Sequence, residues 1–319
     1  MTTVNLSSDN SKQEFFTELF VELNAPGIKD VVIIQDDVIV ANWHTEGKDR
    51  VNYIFSCTKS FLSALIGIAI DQHYISSIDQ PIIEYFPELP QLNEDRRFQQ
   101  ITIQHLLTMT SGIDWPPMDR SNKMYNEMVR SDNWLEFVLR RPLADEPGTR
   151  FNYTDGGSHL LSAIINRTAN VSALEYAFSH LFPYLEISQA KWRENHGVSL
   201  GGTGLHMRTI DMAKLGYLYL NDGRLGSVQV IAPDWIQAST QSHASGHPEW
   251  FGSYGYHWWI SSIEHNGYAD LFFALGAHGQ YIFVIPTKKA VVAFRKKPGR
   301  KQDVMIPKEI LFESVLPCI

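Results

Sequence analysis

The chain has 319 residues, 44 % of them hydrophobic, and 27 Lys and Arg against 35 Asp and Glu give a formal charge of −8. That acidic balance argues against a surface built for nucleic acid or anionic membrane. A chain of this length buries roughly 75 % of its unfolded surface, so it needs neither a disulfide framework nor a structural metal. Its two cysteines, Cys57 and Cys318, suit a reducing compartment. MTTVNLSSDN has neither the basic nor the apolar segment of a secretory leader. Apolar stretches fall far short of the ~20 residues of a membrane helix. A soluble, cytoplasmic globular protein is expected.

In chain order, residues 11–24 space Phe15, Phe16, Leu19, Phe20 and Leu23 along one helical face. After Pro26-Gly27, VVIIQ and VIVANW flank Asp36-Asp37, a β-hairpin pattern. From Phe61 to Ile70 the chain is apolar nearly all round, as in a helix buried on every side. The middle reads as helices and loops. ITIQHLLTMTSGI has helical spacing, SDNWLEFVLRRP follows a cap-like Ser131-Asp132, and GGSHLLSAIINRTA and TIDMAKLGYLYLNDG are amphipathic. Pro116-Pro117 and Glu146-Pro147-Gly148 punctuate them. Strands return in GYHWWISS, LFFAL, QYIFVIP and KAVVAFR, and PKEILFESVL closes the chain as a helix. Strands at both ends around a helical middle predict an α/β (α+β) protein. Residues 1–72 and 246–319 would form a sheet domain, residues 73–245 an inserted, mostly helical domain, with the active site in the cleft between them.

Ser56-Cys57-Thr58-Lys59 stands at the mouth of the buried helix. Residues three apart share a helical face, so the Lys59 amine can reach the Ser56 hydroxyl. Burial and the positive end of the helix dipole both disfavour an ammonium, which predicts a neutral Lys59 acting as base. The pattern alone is weak. It occurs again at Ser188-Gln189-Ala190-Lys191, in a polar stretch that reads as solvated surface. Helix context leaves Ser56 evenly poised between nucleophile and plain N-cap.

Rival chemistries are absent. There is no Gly-x-Ser-x-Gly elbow, no His-Glu-x-x-His and no Cys-x-x-Cys. His243 and His247 lie in a Gly/Ser/Pro-rich loop, and Cys57 reads as an inert, small apolar residue.

From Ser56 onward the chain resembles serine hydrolases of the class C β-lactamase and penicillin-binding-protein superfamily. The resemblance is to the branch that includes 6-aminohexanoate-dimer-hydrolase-like enzymes and family VIII-type esterases. ITIQHLLTMTSGIDW, PGTRFNYTDGGSHLLSAI, GGTGLHMRTIDMAKLGYLYLNDGRL and ALGAHGQYIFVIP stand in the order of that branch. The resemblance implies a β-lactamase/transpeptidase-like fold, an antiparallel sheet flanked by helices with an inserted helical domain. It implies Ser56 as the acylated nucleophile, Lys59 as its general-base partner and Tyr153 as the phenol that shuttles the proton to the leaving group. The backbone N–H groups of Ser56 and Ala277 would form the oxyanion hole. No cofactor and no metal are implied.

Two departures bear on substrate. Tyr153-Thr154-Asp155 carries Asp where the family has Asn; the literal Tyr219-Leu220-Asn221 closes a helix, and Asn221 reads as its cap. Asp155 would either pair with Lys59 or hold a substrate ammonium. The Lys-Thr-Gly triplet is replaced by Ala274-Leu275-Gly276, with Ala277-His278-Gly279 and Gln280 as the alternative register. Losing that Lys removes a cation for a substrate carboxylate. The expected substrate is therefore a small ester or amide, contacted by Asp155, Gly276, His278 and Trp259, with Trp115 and Trp258 as nearby aromatics. A penicillin-binding protein, weak β-lactamase or D-Ala-D-Ala carboxypeptidase is the first alternative. A non-catalytic binding module is the second.

Overall fold

Two consecutive aspartates make the first hairpin possible. The computed structural model describes residues 6–25, 27–118, 122–246 and 252–319. In it β1 (Ser7–Ser8) and α1 (Asn10–Leu23) precede β2 (Ile28–Gln35) and β3 (Val38–His44). Asp36 and Asp37 join the two long strands with φ of 48° and 63°. Tight hairpin turns need positive φ at both central residues, which Asp tolerates. From the other end of the chain come β4 (Ser253–Tyr254), β5 (Trp259–Ser261), β6 (Leu271–Gly276), β7 (Gln280–Ile285) and β8 (Ala290–Lys296). The sheet runs β1-β3-β2-β8-β7-β6-β5-β4, antiparallel except where β1 lies along β3.

Both faces of this sheet are buried, which explains the near-continuous apolar runs of β2, β7 and β8. Side chains alternate with the period of two. Val32, Ile34, Ile282, Val284, Val291 and Ala293 join the larger core with α2 (Thr58–Asp71), α3 (Asp155–Ala169) and α4 (Thr209–Leu220). Val31, Ile33, Phe283, Ile285, Val292 and Phe294 pack on Phe16 and Phe20 of α1 and on Leu311 and Val315 near the C-terminus. In α2 every residue from Thr58 to Ala69 is buried, as its composition predicted. Gly216 brings α4 onto the sheet, for a β-carbon there would lie 2.6 Å from Val291 and 2.8 Å from Ile282.

Several elements differ from expectation for local reasons. The helix foreseen in ITIQHLLTMTSGI covers only Ile103–Leu107, because Met109 and Gly112 adopt φ of 60° and 77° and turn the chain away. Asn133, not Ser131-Asp132, caps the next helix, its side chain accepting from the Glu136 N–H at 3.1 Å. The strand foreseen in GYHWWISS begins only at Trp259, because His257 turns the chain at φ 59°. Trp115 and Trp258 are 3 % and 0 % exposed, so they fill the core and do not line the cleft. His247 lies outside the described residues. Among those residues no helix is long and apolar enough to cross a membrane.

Candidate active site

A 3-10 turn, Phe55–Cys57, feeds directly into α2 and presents Ser56 half-buried at its mouth. The flanking residues fix it there: Ile54 and Cys57 are both fully buried. Cys57 donates from Sγ to the Gln280 carbonyl at 3.4 Å, and burial pushes its thiol far above the ordinary range, so it is no rival nucleophile. One turn along, the Lys59 Nζ lies 3.3 Å from Ser56 Oγ. Ser188 and Lys191 are exposed.

The Lys59 amine is 1 % exposed and donates to three acceptors: Ser56 Oγ, Asp155 Oδ1 at 2.5 Å and the Gly202 carbonyl at 2.7 Å. Three acceptors match the three hydrogens of an ammonium. Burial opposes the charge, but the Asp155 carboxylate and the Tyr153 phenol outweigh it and raise the Lys59 pKa. The expectation of a neutral lysine is therefore corrected. Of the two roles expected for Asp155, pairing with Lys59 is the one present, and it holds the amine charged.

That carboxylate is held by the start of α3. Thr154 caps the helix, its Oγ1 accepting from Gly156 N at 3.0 Å and Gly157 N at 3.4 Å, which sets Asp155 in the first turn. A negative side chain is favoured there. Tyr153, one residue before the cap, places its ring 4.7 Å from Lys59 Nζ. Burial, aided by Asp155, raises the pKa of its phenol against the pull of Lys59. Trp259 stacks on Tyr153 at 5.9 Å and is 2 % exposed. It backs the phenol and offers no open face to a ligand, which corrects its expected place as a substrate contact.

On the sheet side, a β-carbon at Gly276 would lie 2.4 Å from the Ile54 carbonyl. The end of β6 thus touches the backbone just before Ser56, with Ala277 next in line and exposed. Among the described residues, neither the Ser56 nor the Ala277 N–H donates outside its own element. Gln280 pairs with Gly276 inside the sheet and is 1 % exposed, so the alternative register is not presented to the site. His278 follows at φ 66° and meets Phe55 edge-on at 5.1 Å. Tyr219 lies elsewhere, against Trp258 at 4.6 Å, and Asn221 caps its helix by donating to the Tyr217 carbonyl at 3.0 Å. Ser56, Lys59, Tyr153, Asp155, Gly276, Ala277 and His278 therefore converge.

The profile of the beta-lactamase family matches residues 15–296. The chain belongs to that family. Membership makes it an enzyme, a serine hydrolase of the β-lactamase/penicillin-binding-protein fold. A 6-aminohexanoate-dimer hydrolase from Paenarthrobacter ureafaciens is 22 % identical over 289 residues, covering 82 % of this chain and 70 % of the relative. A putative 6-aminohexanoate-dimer hydrolase from Bacillus anthracis superposes with a TM-score of 0.73 at 18 % identity, over 97 % of this chain and 86 % of the other. EstCE1, a hydrolase with promiscuous acyltransferase activity, does so with 0.75 at 14 % identity, over 94 % and 96 %.

Against that family background, several neighbours of Ser56 escaped sequence analysis. Gly202 did not escape altogether: the sequence marks Gly201, Gly202 and Gly204 as either a cleft-lining loop or plain turn residues, and its carbonyl is the third acceptor for Lys59. Tyr53 and Phe55 stand just before Ser56 and received no assignment from sequence. Burial first, then the neighbouring Tyr53 and the Asp155 charge, push the Tyr125 phenol above its ordinary range. Behind Lys59, His257 is buried and held neutral, its pKa pushed down to about 3 by burial first and the ammonium second. A β-carbon at Gly202 would lie 2.4 Å from Asp155 Oδ1. Gly202→Ala should cost about 1–3 kcal/mol by overpacking, lowering the thermal unfolding midpoint by several degrees. An unchanged midpoint would contradict this packing.

Proposed function

We propose that the protein hydrolyses a small ester or amide through an acyl-enzyme on Ser56. The observation that carries this reading is the approach of Lys59 Nζ to 3.3 Å from Ser56 Oγ, with the Tyr153 ring 4.7 Å from the same nitrogen. Nucleophile, amine and phenol so close form an acid–base relay that a binding module has no use for.

The ammonium first loses a proton to solvent. The neutral amine then takes the Ser56 proton as Oγ attacks the scissile carbonyl. The oxyanion is received by the Ser56 and Ala277 N–H groups, next to the helix start. The Tyr153 hydroxyl protonates the departing alkoxide or amine and recovers its proton from Lys59. Water then attacks the acyl-enzyme along the same path and releases the acid. No metal or cofactor takes part in these steps.

The substrate class follows from the strand beside the nucleophile. Ala274 and Leu275 are buried apolar residues in β6, so neither offers a side-chain cation to bind a carboxylate. A relative named for hydrolysis of an amide dimer and a structural neighbour described as a promiscuous acyltransferase support the choice of ester or amide. We place the substrate in the cleft between the sheet unit, residues 1–72 and 246–319, and the helical insert, residues 73–245. Two unpaired cysteines, one buried and one exposed, support a cytoplasmic location.

Incubation with a fluorophosphonate should give one adduct, on Ser56, and Ser56→Ala should lower p-nitrophenyl ester hydrolysis about 10³-fold or more. Preference for nitrocefin over the esters would point to a β-lactamase, and no adduct at all would point to a binding module. Asp155 sets the pH dependence. Its negative charge keeps the proton on Lys59, so the rate rises with pH until that proton leaves. In Asp155→Asn the ammonium loses its strongest partner, the Lys59 pKa falls, and the rising limb moves to lower pH. A pH–rate profile of kcat/KM unmoved by the substitution would remove Asp155 from this role.

A further inference from the structure

Immediately before the nucleophile stands Tyr53-Ile54-Phe55. Ile54 is fully buried, whereas Tyr53 and Phe55 are left half-buried. Their rings lie 4.1 Å apart. Tyr53 stacks on His206 at 4.9 Å and 15°, and Phe55 meets His278 at 5.1 Å. All four side chains are half-buried. They come from three places in the fold: the approach to α2, the short strand Leu205–Met207 and the turn between β6 and β7.

Phe55 adopts φ 51°. The left-handed region is costly for a bulky residue, and such strain gathers at ligand sites. Here it places the ring in the half-exposed wall while Ile54 and Cys57, on either side, stay in the core. The wall contains no Lys, Arg, Asp or Glu. It begins at the residue bonded to Ser56 and ends at His278, the neighbour of Ala277. It therefore borders both the nucleophile and the proposed oxyanion donor. Aromatic side chains left half-exposed in a cluster like this favour a further ring in stacked or edge-on contact.

We propose that Tyr53, Phe55, His206 and His278 form a subsite for a neutral, planar aromatic group carried next to the scissile carbonyl of the substrate. This rests on Ser56 as the nucleophile and narrows the substrate class to aryl-bearing esters and amides.

Two serine-directed reagents that differ only in this group, phenylmethanesulfonyl fluoride and methanesulfonyl fluoride, test it. The rate of adduct formation on Ser56 is followed by mass spectrometry in wild type, Phe55→Leu and His278→Gly, the last chosen because Gly accepts positive φ. The phenyl-to-methyl rate ratio should fall about fivefold to tenfold in each variant whose melting temperature stays near wild type. Taking the ratio cancels any change in the reactivity of Ser56 itself. A ratio that stays within twofold of wild type in either folded variant overturns the subsite while leaving the nucleophile intact. Labelling of Ser56 by neither reagent overturns both.

Discussion

A lysine ammonium in a dry interior holds this site together. Lys59 starts a helix that is buried on every side, where an unpaired charge is heavily penalised. It is tolerated because three acceptors from three segments reach it: the Ser56 hydroxyl, the Asp155 carboxylate and the Gly202 carbonyl. Removing one partner would leave a charge uncompensated, so the starts of α2 and α3 and the loop at Gly202 hold one another in place. Glycine is required where they meet, since β-carbons at Gly201 and Gly202 would lie 1.9 Å from the Ser158 carbonyl and 2.4 Å from Asp155 Oδ1.

The sheet supplies the fourth wall. Its two buried faces make it a rigid partition between the helical body and the layer of α1 with the C-terminal segment. The β6–β7 turn extends from that partition to the nucleophile, with Gly276 against the Ile54 backbone. Such a support keeps the positions of Ser56 and Ala277 independent of the more exposed loops around the cleft.

Much of this was legible in the sequence, and the reasons differ from element to element. The first hairpin, α2, α3 and α4 carry strong periodicities, and their spans agree with the structure within a few residues. Ser56 was marked by a local motif and Tyr153 by the family resemblance, and the two do come together around Lys59. The protonation of Lys59 was only half legible: Asp155 was foreseen as a partner for either Lys59 or a substrate ammonium, and a residue 96 positions away does not choose between the two from sequence alone. The short helix Ile103–Leu107 was overextended because spacing is blind to the left-handed turn at Met109. Trp259 was assigned to substrate on composition, but packing against Tyr153 uses its face. The aromatic wall escaped because nothing in the sequence assigns Tyr53 and Phe55 until the backbone strain at Phe55 shows where its ring lies.

The account stands or falls on the charge of one nitrogen. Side-chain ¹⁵N NMR of the lysine amines, assigned with Lys59→Arg, reports it directly. A Lys59 Nζ resonance in the ammonium range at neutral pH, titrating above the ordinary lysine value and dropping when Asp155 is replaced by Asn, is the predicted result. A free amine at neutral pH, or a titration indifferent to Asp155, would contradict it.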